Sequence, residues 1–336
     1  MVAFAPRERV QLSLNHKQPD KVPWHFGFTT PTRLTLEKYY NTTDLDTVLD
    51  QHLAIFRSRL PYVEVRPGFV RDEFGVIWNR TIDKDIGIVE DYLLKEPSLK
   101  GMTFPDPHGP NRFAPVPAFI EKHRNRFRLF MLGHAMFERA WSLRGMEDVM
   151  VEMIQAPVFV EELMDAIMNY EFEMMEEALQ YDFDGFFFGD DWGQQTGLMF
   201  GIRHWRHFIK PRMARLYGLA KQHGKAVFIH CCGKVQELFP ELIEMGVDAF
   251  NPFQPEVMDL YEMKRQYGGQ LSFYGGVSIQ RLLPFGTPQE VREEVRRLMG
   301  EIGRDGGFIV SPSHDMPGDI PLANLLAFID TVLSQG

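Results

Sequence analysis

Residues 226–254 read AVFIHCCGKVQELFPELIEMGVDAFNPFQ. Two apolar runs rich in aromatic and β-branched residues, AVFIHCC (226–232) and DAFNPFQ (248–254), flank a segment of helical texture. Such a strand–helix–strand unit is the repeating element of a parallel sheet. The alternation continues in both directions. RLFMLGH (128–134) and DGFFFGDD (184–191) come before it, and LSFYGGVS (271–278) and GFIVSPSHD (307–315) follow. The runs are mostly continuous, as expected where helices cover one side and packed barrel layers the other. With VPWHFGF (22–28) and a strand near Val63 they total eight, which predicts an α/β chain folded as a (β/α)8 TIM barrel. A doubly wound open sheet is the alternative, but no GxGxxG turn follows the first strand.

Between these units the sequence supplies helix signals. In TPQEVREEVRRLMGEIG, Thr287 and Glu290 make a capping box around Pro288, and Val291, Val295, Leu298 and Ile302 recur on one helical face. From Pro61 to about Pro97 the texture changes to short β-rich runs punctuated by Gly and Asp, which predicts a β-hairpin elaboration laid onto the barrel. Residues 98–117, with five prolines, read as an irregular connector. No linker or repeat divides the chain, so residues 1–336 are expected to form one domain.

With 36 Lys and Arg against 46 Asp and Glu, the net charge is −10. An acidic balance argues against a general nucleic-acid binder, which needs a broad basic face. The basic stretch RHWRHFIKPRMARLYGLAKQHGK (203–225) reads as a solvated helix face, with docking of an acidic partner as the alternative. No apolar run approaches the roughly 18 residues of a membrane helix, and the start lacks an apolar signal core. A cytoplasmic protein is expected. Only two cysteines occur, Cys231 and Cys232, so no disulfide framework is available.

Catalytic groups in a barrel lie at the C-terminal ends of its strands. Those ends carry His25, His134 with Glu138 and Arg139, Asp190 and Asp191, His230 and Cys232, Asn251 and Gln254, and Ser311 to Asp315. Alternation along an extended strand sends His230 and Cys232 to the same side and Cys231 to the other. An imidazole and a thiolate so placed can chelate one ion, and Zn²⁺ suits mixed N and S ligands. A buried thiol beside a hydrogen-bonded histidine is the plainer alternative. A third ligand is needed; His314 is the natural candidate, with Asp190, Asp191 and Asp315 as alternatives. Asp190 and Asp191 could serve a metal, take a proton or grip substrate, or one of them could cap the following helix.

Taken together these residues resemble the uroporphyrinogen decarboxylase superfamily, which includes cobalamin-dependent methyltransferases. FIHCCGKVQELFPELIEMGVDAFNPFQ is similar to the methyltransferases' metal-binding HxCG strand and the unit after it. LLPFGTPQEVREEVRRLM resembles the family's TP-x-E-V helix, and SPSHDMPGDIPLANLLAF its closing segment. The resemblance implies a (β/α)8 barrel with its site at the strand C-termini. Decarboxylases carry an arginine-rich MRQAGR motif for the substrate carboxylates, whereas this chain reads PWHFGFTTPTR at the matching place. Tetrapyrrole decarboxylation is therefore not expected. On the methyltransferase side His230 and Cys232 match, while the usual third cysteine falls on His314, either a replacement zinc ligand or a substrate contact.

The resemblance implies a zinc-dependent methyltransferase that moves a methyl group between a small substrate or thiol and a corrinoid carried by a partner protein. His230, Cys232 and His314 would hold Zn²⁺. Asp190 or Asp191 would orient substrate or shuttle a proton, and His25, His134, Asn251, Gln254 and Asp315 would line the substrate site. Relatives suggest a homodimer. Two alternatives stay open: a decarboxylase or lyase acting on a carboxylated small molecule or tetrapyrrole without corrinoid, and a non-catalytic barrel that binds a corrinoid or tetrapyrrole.

Overall fold

The computed structural model describes residues 3–85 and 87–335. Seven parallel strands form one curled sheet: β1 Leu53–Arg57, β2 Phe127–Gly133, β3 Gly185–Gly189, β4 Ala226–His230, β5 Ala249–Phe253, β6 Ser272–Val277 and β7 Phe308–Pro312. Each pairs with the next in chain order. Intervening helices cover the outside, as right-handed crossovers require.

The eighth stave is the extended segment 22–28, held by scattered contacts in place of a regular ladder. Trp24 bridges Val310 and Phe28 bridges Met316 on the β7 side. Towards β1, His52 N donates to the Trp24 carbonyl at 3.2 Å. The Gln51 amide replaces the missing backbone rungs: its Nε2 donates to the Phe26 carbonyl at 2.8 Å and its Oε1 accepts from Phe26 N at 2.9 Å. A side-chain amide can do this because it carries the same donor and acceptor as a peptide group.

One strand assignment needs correction. The second barrel strand is LAIFR (Leu53–Arg57), not the run near Val63. Its register against β2, Leu53 opposite Phe127 through Arg57 opposite Met131, settles its place. Five residues between a buried Gln51-His52 pair and a turn are too few to show a strand period, and the apolar spacing on either side imitates a helix. Val63–Arg66 instead opens a four-stranded antiparallel sheet with Phe69–Arg71, Ile77–Asn79 and Ile88–Asp91, larger than the expected hairpin. Asp72 anchors this sheet. It accepts from the backbone N of Phe74 and Val76, from Trp78 Nε1 and from Arg139 Nη1 of the helix Phe137–Arg144.

Leu53, Phe127, Leu129, Phe187, Phe228, Ala249, Tyr274 and Ile309 fill the barrel interior, with Val10 of the helix Pro6–Leu14 packed among them. That helix closes the N-terminal end: Ser13 Oγ donates to the Phe308 carbonyl and Arg7 pairs with Asp184. The expected capping box at Thr287 and Glu290 is present, and Val291, Val295, Leu298 and Ile302 are all buried. In the basic stretch, Arg206 and Lys210 are tied to Glu241, and Lys210 also to Glu244, so those charges are matched within the chain. No described helix is long and apolar enough to cross a membrane.

A candidate metal centre at the barrel mouth

Strand β4 ends in His230, and the alternation of its side chains carries past the end. Cys231 faces outward and is fully buried in the core, where its Sγ accepts from Trp192 N at 3.2 Å. His230 and Cys232 face inward, with Nε2 and Sγ 3.4 Å apart. His314, in the loop after β7, turns its ring across that of His230, centroids 5.4 Å apart at 72°. Ligand atoms of His230, Cys232 and His314 all lie within 4.8 Å of one another.

The surroundings suit a cation. A tetrahedral Zn²⁺ with bonds of roughly 2.0 Å to nitrogen and 2.3 Å to sulfur sets N and S about 3.5 Å apart, close to the 3.4 Å between His230 and Cys232. Asn251 on β5 prepares the histidine. Its Nδ2 donates to the Tyr274 carbonyl, so its Oδ1 is left to accept from His230 Nδ1 at 2.6 Å. The proton is thus assigned to Nδ1, leaving the Nε2 lone pair facing Cys232. Burial, together with the Asp191 and Glu138 carboxyls, pushes the Cys232 thiol far up. A bound cation would reverse that balance and favour thiolate. His314 is lowered by burial and by neighbouring His230, which keeps a nitrogen lone pair available.

The two adjacent aspartates divide their tasks. Asp190 is fully buried and accepts from the backbone N of Met136, Phe137 and Glu138 and from Trp192 Nε1. It fastens the first turn of Phe137–Arg144, where unpaired N–H groups need an acceptor. Burial raises it to about 7, against the pull of those donors. Asp191 stays partly open at the mouth; its Oδ1 accepts from Cys232 N at 2.7 Å and lies 3.9 Å from His230 Nε2.

The remaining expected residues spread around the rim. His25 Nδ1 is 2.6 Å from the Tyr274 hydroxyl, and burial lowers the imidazole to about 4. It is neutral at pH 7, and with the Tyr274 hydroxyl as the donor to Nδ1 the ring hydrogen is assigned to Nε2. Asp315 lies over Gly27 so closely that a Cβ there would sit 2.1 Å from its Oδ1. His134 sits beside Trp78 at φ 58°, with Nε2 4.0 Å from Glu138 Oε1. Burial, with Asp191 and Asp190 nearby, pushes Glu138 well up. Gln254 Oε1 accepts from Gly233 N, bracing the loop after β4.

Sequence reasoning missed Arg57, Arg59 and Tyr274. Tyr274 stands on the inner face of β6 among the barrel-filling residues. Both arginines follow from alternation in LAIFRSR once that run is read as a strand.

Comparison with known proteins agrees with this architecture. Residues 87–334 match the family model described as Uroporphyrinogen decarboxylase (URO-D). The methylated-thiol–coenzyme M methyltransferase of Methanosarcina mazei is 26% identical over 125 residues, 37% of this chain and 31% of that protein. The uroporphyrinogen decarboxylase of Ruthia magnifica subsp. Calyptogena magnifica is 20% identical over 183 residues, 54% of this chain and 50% of that protein. The chain thus spans half or less of the length of these relatives. A solved methyltransferase from Methanosarcina mazei superposes with a TM-score of 0.75 at 16% identity, over 98% of both chains, a likeness of fold. Since the family match runs from the antiparallel sheet to the last helix and contains six of the seven strands of the curled sheet, the chain belongs to the uroporphyrinogen decarboxylase family.

Proposed function

We propose that this protein is a zinc-dependent methyltransferase that moves a methyl group between a small substrate or thiol and a corrinoid carried by a separate protein. The observation that carries the reading is the inward-facing His230, Cys232 and His314 set, with His230 oriented by Asn251. The partial similarity to a methylated-thiol–coenzyme M methyltransferase supports the same class of reaction.

His230 Nε2, Cys232 Sγ and a nitrogen of His314 would hold Zn²⁺, which as a Lewis acid lowers the pKa of a bound thiol or polarises an ether oxygen. The chain's own groups prepare the site. Asn251 holds the His230 ring in one orientation, and Asp191 holds the Cys232 backbone through its amide. Asp191 would orient substrate or take a proton, while Asp190 supports it by fixing the neighbouring helix start. Neutral His25, steadied by Tyr274, offers Nε2–H to an oxygen or sulfur of the substrate. His134, Gln254 and Asp315 complete the wall.

Metal analysis of the purified protein beside Cys232→Ala and His314→Ala tests this. About one zinc per chain, lost from both variants, is the expected result, together with methyl transfer from methylcobalamin to a thiol by the wild type alone. Zinc lost only from the Cys232 variant would make His314 a substrate contact. The similarity to a uroporphyrinogen decarboxylase supports a second reading, loss of CO2 from a carboxylated small molecule without corrinoid. A metal-free protein that releases CO2 from such a substrate would establish it. Against tetrapyrrole as that substrate stands Gly27, with Asp315 pressed over it, in the segment where decarboxylases carry arginine.

A further inference from the structure

The inner face of β1 changes character along its length. Leu53 and Ile55 pack into the barrel interior, and Arg57 follows on the same face. Arg59 continues the alternation past the strand end: a Cβ on Gly133 would lie 3.0 Å from its Nη2, so the guanidinium rests on the inner face of that glycine. Arg57 Nη1 reaches only the Met131 Sδ, a weak acceptor, at 3.2 Å. Arg59 Nη1 donates to the Tyr62 hydroxyl at 2.6 Å. Among the described residues neither forms an ion pair. Arg112, Arg128 and Arg139 elsewhere in the fold are matched by Glu73, Asp184 and Asp72.

The pair faces the metal centre across positions that carry no side chain. Gly133 stands opposite Gly189, and Gly189 opposite His230. Neither glycine is among the residues with positive φ, so backbone conformation does not demand them. Their effect is space between the guanidinium groups and the His230 ring. The charge of Arg57 is also felt at His25, Tyr274 and His314, which places it within the same mouth.

We propose that Arg57 and Arg59 form an oxyanion subsite that holds a carboxylate or sulfonate at one end of a small substrate, while its reacting end meets His230, Cys232 and His314. Planar guanidinium groups match such anions bidentately, and among the described residues neither Arg57 nor Arg59 is committed to an ion pair, while the Asp191, Asp315 and Glu138 carboxyls share the mouth with them. The inference rests on the metal-centre reading above and names the substrate class of that site.

Calorimetric titration with two thiols of the same length, 3-mercaptopropionate and 3-mercaptopropionamide, tests it. The wild type is expected to bind the acid at least ~10-fold more tightly than the amide. In Arg57→Gln/Arg59→Gln that ratio falls towards one, while affinity for the amide and zinc content stay unchanged. A double lysine variant retains part of the preference, and 3-mercaptopropanesulfonate in place of the acid tells sulfonate from carboxylate. Equal affinity for acid and amide in the wild type overturns the proposal, as does failure to bind either thiol or a preference that survives in the double glutamine variant. The wild-type comparison decides even if the variants fold poorly. Zinc measured on the same samples separates the two readings: acid preference without zinc supports the arginines and removes the metal centre, and zinc without acid preference does the reverse.

Discussion

Asn251 Oδ1 lies 2.6 Å from His230 Nδ1, and the other end of the same amide is committed to the Tyr274 carbonyl at 3.0 Å. The amide therefore cannot rotate to present its NH2 to the imidazole without losing a bond. In Asn251→Ala the ring is free to turn and its tautomer is no longer set. Zinc affinity is expected to fall roughly 10- to 100-fold, as read by competition with a chromophoric chelator.

Asp190 and Asp191 are expected to separate cleanly. Asp190→Ala leaves three backbone N–H groups and an indole without their acceptor. Its unfolding free energy in urea should drop by about 3 kcal/mol or more. Asp191→Ala, at a partly open position, should stay within about 1 kcal/mol of wild type while methyl transfer falls. The reverse pattern would assign the catalytic carboxylate to Asp190.

The antiparallel sheet hangs on a buried ion pair. Asp72 Oδ2 and Arg139 Nη1 are 2.8 Å apart, with both side chains almost wholly enclosed. Removing one partner strands the other charge, so Asp72→Ala is expected to lose about 3–5 kcal/mol. Faster protease cleavage between residues 62 and 91 than elsewhere would show that this sheet detaches first.

Glu171 sets a pH dependence. It is buried on the helix Pro157–Ala178, its Oε2 has no hydrogen-bond partner, and burial raises it to about 8. The folded chain thus holds a proton that the unfolded chain releases near pH 4.5. The stability this contributes is complete below about pH 4.5 and is lost as pH rises through about 8. Glu171→Gln, which cannot ionise, should gain on wild type between pH 5 and pH 8.5 by on the order of 4 kcal/mol. Parallel urea melts at the two values check it, and a constant difference would place the proton elsewhere.

The strand ends were readable because their chemistry is local. LAIFR was not, because five residues carry too little of the period and only its pairing with β2 identifies it. The roles of Asp190 and Asp191 were equally hidden. Both stand at the end of β3, and which of them meets the start of Phe137–Arg144 depends on how β2 and β3 align.

From the sequence alone came the parallel strand–helix alternation, the inward pairing of His230 with Cys232 and the capped helix at Thr287. Each depends on side-chain sidedness within one short segment, which a period of two or 3.6 residues dictates before the chain folds. Tertiary structure singled out His314 from the candidates for the third group beside the HxC pair, and it alone decided that Asn251 orients His230 and that Arg57 and Arg59 face them across two glycines. Those contacts join different staves, and closure of the barrel, with its register, determines which strand ends share one mouth.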